Sequence, residues 1–267
     1  MSFTVLAIFK NESHILNEWI THYLNEGADH IILGDNNSND SWQTSIEPRF
    51  VGDSRIRFVE VPGEEQQDNF YNAYIKDVTT EWTLIVDLDE FIYSRNEYKT
   101  TKDYLDSVPD TVSLVCVPWK LFGSLNPDGS FIEKQPPSVI NGFLCHKCYD
   151  EIGEFKQVNG MEVKSFVRTI KATTVHIHTA SRTDGDAIRP NGRIINGDPH
   201  LTGSTIEFTQ DNLACNHYIT QSLDWFDNVK SKRGLADISG VYRDQKYFDG
   251  HGLGTTVCTE LRDKTYD

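Results

Sequence analysis

The sequence predicts an α/β fold: a mostly parallel central sheet with helices on both faces. Three observations carry this. Short, β-prone apolar runs recur at 3–9, 30–35, 56–62 and 82–91. A helical pattern or a capped turn separates each run from the next. The alternation is the βαβ signature of a parallel sheet, and no linker-like stretch divides it into two cores.

FTVLAIF (3–9) is the first strand. SHILNEWITHYLNEG follows, with Ile15, Leu16, Trp19, Ile20, Tyr23 and Leu24 on one helical face. Asn11 or Ser13 can cap its start and Gly27 its end. HIILGD (30–35) is the second strand, and the turn-rich NNSND leads to a short helix near 41–46. IRFVEVP (56–62) is the third strand, and a helix over 64–78 turns Phe70, Tyr74 and Val78 inward. WTLIVDLDEF (82–91) is the fourth strand. In the less regular second half, SLVCVPWKLFG (113–123) reads as a strand and 124–137 as a turn-rich loop. KSFVRTI (164–170) and TTVHIHT (173–179) read as strands, 181–205 as a long loop, and 219–234 as a helix with Leu223, Phe226 and Val229 on one face.

Composition narrows the function. The 267 residues are 38% hydrophobic and 11% aromatic, enough for one large domain core. A net charge of -15 repels phosphate backbones and argues against nucleic-acid binding. No apolar run reaches the length of a membrane span. MSFTVLAIFKNE has no basic n-region and no cleavage site, so it reads as a strand rather than a signal peptide. Five cysteines, an odd count, point to reduced thiols and a cytoplasmic setting. Cys145 and Cys148 form a lone CxxC with no second pair to complete a zinc site. Neither GxGxxG nor GxxxxGK[ST] follows a strand, so the dinucleotide and P-loop readings have no motif.

Asp87 and Asp89 lie two residues apart at the end of the fourth strand, where a spacing of two puts both carboxylates on one face. Such a pair fits a divalent cation with oxygen ligands, and it equally fits a solvated turn. Its place is the carboxyl edge of an α/β sheet, where ligands bind. Asp35 ends the second strand at that edge, as an acceptor for a ribose hydroxyl or base N–H or as an Asx turn. Lys10, Asn11 and Glu12 follow the first strand there. His176, His178 and His217 are candidate further ligands; His217 is favoured, with His178 in reserve. Lys164 and Arg168 are cations for a diphosphate or parts of a solvated strand face. Trp119, Leu121 and Phe122 offer apolar surface for stacking on a sugar or for the core.

Together these pieces resemble the GT-A glycosyltransferases, in particular their family-2-like and family-92-like group. FKNE, LNEWITHYLNEGADHIILGDNNSND, QQDNFYNAYIKDVTTEWTLIVDLDEF, WKLFGS, KSFVRT, HIH and NHYITQSLDWFDNVKSKRG stand in that group's order over roughly residues 5 to 234. The resemblance implies a single Rossmann-like GT-A domain over 1–267, with a nucleotide-binding half at 1–93, an acceptor-binding half at 94–234 and a tail at 235–267. It implies a nucleotide-sugar donor, expected as a UDP-hexose, a glycan or glycoconjugate acceptor, and Mn²⁺ or Mg²⁺. Asp87, Asp89 and His217 match the metal site; Asn11, Glu12, Asp35, Gln67, Asn72 and Lys164 match positions bordering the nucleotide. An inverting member needs a carboxylate base, for which Asp150, Glu151 and Glu154 are candidates that no spacing separates. A sugar-nucleotidyltransferase is the rival enzyme, although FKNESH lacks the Gly-rich, Arg-bearing loop it requires. The non-enzymatic rival, a nucleotide- or glycan-binding module, has no need to keep both Asp87 and Asp89.

Overall fold

The computed structural model describes residues 1–147, 162–198, 209–234 and 240–266. Strands β1 (Phe3–Phe9), β2 (His30–Asp35), β3 (Ile56–Glu60) and β4 (Trp82–Ile85) are parallel neighbours in the order β3-β2-β1-β4. Helices α1 (Ser13–Asn25), α2 (Trp42–Ser45) and α3 (Gln67–Tyr74) connect them. β1 is paired on both edges, and its alternate side chains enter two different cores. Phe3, Val5, Ala7 and Phe9 pack with α1, while Leu6 and Ile8 pack with Phe70 and Tyr71 of α3. A strand covered on both faces reads as a continuous apolar run, which is why FTVLAIF shows no polar alternation. Gly34 makes the close packing of α3 possible: a Cβ there would lie 2.9 Å from Phe70 and from Val61.

Beyond β4 the sheet becomes mixed. β5 (Glu90–Ser94), β6 (Val112–Phe122), β7 (Cys145–His146), β8 (Val163–Arg168), β11 (Asp186–Ile188), β12 (Leu213–Tyr218) and β13 (Thr256–Val257) complete it, while β9 (Ala172–Val175) and β10 (Ala180–Arg182) form a separate hairpin. β6 divides the sheet along its own length. Leu114–Pro118 pairs with β8, and Trp119–Phe122 pairs with β12, which in turn pairs with β5.

Several expected elements come out differently. WTLIVDLDEF is two strands joined by a turn, because Glu90 N donates to the Asp87 carbonyl at 3.1 Å and Asp87 N to the Glu90 carboxylate at 2.8 Å. Val86 and Leu88 are fully buried, so the turn is as apolar as a strand and periodicity cannot reveal it. KSFVRTI ends as a strand at Arg168, and TTVHIHT at Val175, so His176 and His178 lie past the strand rather than alternating along it. The stretch expected as a loop from 181 carries β11, and the helix expected over 64–78 is α3 followed by a 3₁₀ turn at Ile75–Asp77. The helix expected over 219–234 is one turn at Leu223–Trp225, running into a π-helical turn at Phe226–Lys230. At the start of α1 neither Asn11 nor Ser13 caps by side chain; Ser13 N donates to Asp40 at 2.8 Å instead. Cys116, Cys145, Cys215 and Cys258 are free thiols, and Cys148 lies outside the described residues.

His22 of α1 is buried with Nε2 donating to the Ile92 carbonyl at 2.7 Å. Burial, against the opposing Ile92 bond and with Lys264 nearby, lowers its pKa from 6.5 to about 3. Below pH 6.5 the unfolded chain binds a proton here that the folded chain refuses until about pH 3, so acid costs stability. The expected loss from this ring is about 1.4 kcal/mol per pH unit across that window. Urea unfolding at pH 7 and pH 5.5 should show a shallower pH slope for His22→Gln than for the wild type. An equal slope would remove His22 from the acid response.

Candidate active site

The acidic turn after β4 is held from below by α1. Trp19 Nε1 donates to the carbonyls of Asp87 at 3.1 Å and Glu90 at 3.2 Å, and Tyr23 OH donates to the Glu90 carbonyl at 3.0 Å. The amphipathic face that buries α1 therefore also fixes the backbone carrying three carboxylates.

Register supplies the counter-charges. β4 and β8 are antiparallel with Ile85 opposite Ser165 and Trp82 opposite Arg168. Lys164 thus falls beside the acidic turn. Its ammonium is fully buried, 2.9 Å from Asp87 and 3.3 Å from Glu90, and donates to the Ile177 carbonyl at 2.9 Å. Arg168 falls at the far end, where it lies 4.5 Å above the Trp82 ring and donates to the Val112 carbonyl. Neither is on a solvated strand face, and only Lys164 belongs to the site. Burial works against the charged form of Lys164, but Asp87 and Glu90 outweigh it and hold its pKa above the usual lysine value.

Asp89 is held from the other side. The π-helical turn delivers Lys230, whose Nζ lies 2.6 Å from Asp89 Oδ2, and β12 delivers His217, whose Nε2 lies 3.4 Å from Asp89 Oδ1. His217 stands directly opposite Glu90 in the β5–β12 pair, with Nδ1 3.8 Å from Glu90 Oε1. Burial pushes the Asp89 carboxyl up, yet Lys230 and His217 bring it well below its usual range. Burial pushes Glu90 well up; Lys164 opposes this, and Asp87 and Asp89 add to it. His217 is pushed down by burial against the pull of Asp89, which favours the neutral imidazole that binds metals.

Among the described residues, Asp89, Glu90 and His217 form the group whose ligand atoms, within 4.8 Å of one another, could share an ion. Glu90 Oε1 and His217 Nδ1 are buried without a hydrogen-bond partner. Buried polar atoms are ordinarily satisfied, and two carboxylates with an imidazole suit a divalent transition metal or Mg²⁺. The residues present therefore fit a cation.

The other expected residues fall in three places. Asp87 and Gln67 join the cluster from one side: Gln67 Nε2 donates to Asp87 Oδ1 at 2.6 Å. Glu12 lies close by, paired with Arg233 at 3.0 Å, and Arg233 also donates to the Lys10 carbonyl. Asn11 and Asp35 knit the loops after β1 and β2. Asn11 Oδ1 accepts from Asn39 N at 2.7 Å, and Asp35 accepts from Ser38 N and Trp42 Nε1, both at 2.8 Å. The bond from Ser38 N spans three residues, one more than the Asx turn expected at Asp35. Asn72 is not gathered in; its amide clamps both backbone groups of Val175, at 2.7 and 2.8 Å. His178 is not gathered in either, since its Nδ1 faces the Val163 carbonyl at 3.2 Å. Asp150, Glu151 and Glu154 lie outside the described residues.

Glu90, Lys230 and Arg233 were not singled out from the sequence. Lys230 and Arg233 are three apart, and both cations lie over the Trp225 ring, at 5.5 and 5.3 Å. The signal available was that i, i+3 spacing beside a tryptophan.

A family model described as glycosyltransferase family 92 matches residues 2–229. The chain belongs to glycosyltransferase family 92. No curated protein sequence matches this member. Among solved structures it is similar to Staphylococcus aureus TarS 1–349 in complex with UDP-GlcNAc, at 15% identity and TM-score 0.38 over 63% of this chain. It is also similar to the mannosyltransferase PcManGT from Pyrobaculum calidifontis in complex with GDP-Man and Mn²⁺, at 15% identity and TM-score 0.33 over 47% of this chain. The family-92 chain spans 46% and 36% of those two chains, respectively. Family membership agrees with the resemblance read from the motifs, and the α/β sheet is the scaffold that resemblance implies. No described helix is long and apolar enough to cross a membrane.

Removing Lys164 should leave the buried Glu90 and the half-buried Asp87 without their counter-charge. Lys164→Met should cost about 3–5 kcal/mol by chemical denaturation, as breaking a buried pair does. Lys171→Met, which breaks the exposed pair with Asp184, should cost less than about 1 kcal/mol. Equal losses would show that Lys164 is not the counter-charge of the turn.

Proposed function

We propose that this family-92 chain is a divalent-cation-dependent transferase that moves a hexose-type sugar from a nucleotide-sugar donor, a UDP-hexose, to a glycan or glycoconjugate acceptor. The observation that carries it is the buried group Asp89, Glu90 and His217, with its two unpartnered ligand atoms. These three residues would hold Mn²⁺ or Mg²⁺. When bound, the cation supplies Lewis-acid stabilisation to the departing nucleoside diphosphate.

The protein's own side chains do the rest. Lys230 and Arg233, fixed against Trp225, face the same negative charge as it grows on the diphosphate oxygen. Asp87, steered by Lys164 and Gln67, is 30% exposed and is the carboxylate of the turn that can accept from donor hydroxyls. The loops knitted by Asn11 and Asp35 border the nucleoside at the carboxyl edge of β1 and β2. Asn72 acts at one remove, by fixing the backbone at Val175. In this reading residues 1–93 carry the nucleotide and 94–234 the acceptor, and the chain works in the cytoplasm.

The test is a thermal-shift titration with UDP and GDP, with and without Mn²⁺. A ligand that binds only the folded state raises its stability as ligand concentration rises. The wild type should be stabilised by UDP only when Mn²⁺ is present. His217→Ala and Asp89→Asn should lose that shift while still unfolding cooperatively. Retention of the full Mn²⁺-dependent shift in both variants would dismiss the cluster as the cation site.

A further inference from the structure

We infer that Arg243 is a third cation, beside Lys230 and Arg233, that holds the diphosphate of the nucleotide-sugar donor. The inference rests on the transferase reading above and gives the segment after Gly234 a part in the site. Arg243 lies beyond residues 2–229, which the family model matches.

Packing carries Arg243 to the site. Phe226 belongs to the π-helical turn that also carries Lys230. The helix Gln245–His251 lies against that phenylalanine, with Tyr247 nearly parallel to its ring at 6.4 Å and the buried Phe248 edge-on at 4.9 Å. Asp244 caps the helix, its side chain accepting from Tyr247 N at 2.9 Å. The chain then returns through Gly252, whose carbonyl accepts from Ser124 N at 2.7 Å. A side chain at Gly123 would collide with that carbonyl, so the two backbones are closely joined. Arg243 immediately precedes the capping Asp244. Its guanidinium lies 5.5 Å over the Tyr247 ring, and Nη1 donates at 3.2 Å to the carbonyl of Gly234, the residue after Arg233.

The positive charge gathered here exceeds its counter-charge. Lys230 has Asp89 at 2.6 Å, and Arg233 has Glu12 at 3.0 Å. Among the described residues no carboxylate pairs with Arg243, and its Nε is buried without a hydrogen-bond partner. A buried donor is ordinarily satisfied. Burial lowers the pKa of Lys230; Asp89 opposes this, and Arg243 and Arg233 lower it further. Burial raises the Tyr247 hydroxyl, which Arg243 and Arg233 pull down and Asp89 pushes up. The three cations therefore act on one place. Like charges held together destabilise one another until an anion arrives. A diphosphate supplies that anion, and the planar fork of an arginine can reach two of its oxygens at once.

Calorimetric titration of the full chain in Mn²⁺, with UDP and UMP and with GDP and GMP, tests this. Arg243→Gln should weaken the diphosphate that the wild type binds by about 10-fold or more, as loss of a hydrogen bond to a charged group does. It should weaken the matching monophosphate less, because less charge is held. Lys246→Gln removes an exposed cation from the same helix and should bind both as the wild type does. Arg243→Lys keeps the charge without the fork and should fall between the wild type and Arg243→Gln; it carries the comparison if the glutamine variant does not melt cooperatively. An unchanged affinity for the diphosphate, or an equal loss for diphosphate and monophosphate, overturns the role of Arg243 and leaves the transferase reading standing. Wild-type binding of neither UDP nor GDP overturns the two together.

Discussion

A buried ammonium sets the geometry of this site. The turn after β4 buries Glu90 completely and leaves Asp89 5% exposed, with Asp87 at its half-buried rim. Charges so placed are stable only when paired and hydrogen-bonded. Lys164 answers Asp87 and Glu90, Lys230 answers Asp89, and Arg233 answers Glu12. Lys164 comes from β8, and Lys230 and Arg233 come from the π-helical turn and the bend that follows it, so strand register and that turn must both be right before the acids can coexist. The arrangement yields little net stability compared with an apolar core of the same size. What it yields is position. Glu90 Oε1 and His217 Nδ1 are left facing one another at 3.8 Å, both without hydrogen-bond partners.

The parallel half was legible because its physics is local. Apolar runs separated by amphipathic helices name β1 to β4 and α1 with little ambiguity, and the carboxyl edge then places Asn11, Glu12, Asp35 and Asp87. The turn inside WTLIVDLDEF was not legible, since Val86 and Leu88 are buried and a strand was the simpler reading. Pairing with distant segments was hidden for the same reason. Nothing near His217 says that it will stand opposite Glu90, or that Lys164 rather than Arg168 will reach the acids. Two antiparallel registers decide both, and register is a property of the assembled sheet.

The roles within the acidic turn consequently shift. The DxD spacing suggested that Asp87 and Asp89 share one ion from one face. In the folded chain Asp87 turns to Lys164 and Gln67, while Glu90, which the DxD spacing does not single out, joins Asp89 and His217. Asn72 and His178 stay outside that group; Asn72 clamps Val175 and Lys164 donates to the Ile177 carbonyl, which ties the backbone after β9 to the supports of the turn. The candidate metal group thus lies between β5 and β12, held from the β8 side by Lys164.

Crystals grown with Mn²⁺ and UDP, measured for anomalous scattering at the manganese edge, would locate the ion. The cluster geometry predicts one strong peak within coordination distance of Asp89, Glu90 and His217, with Lys164 still on Asp87. A peak ligated by Asp87 without His217, or no ordered ion under conditions that support nucleotide binding, would contradict it.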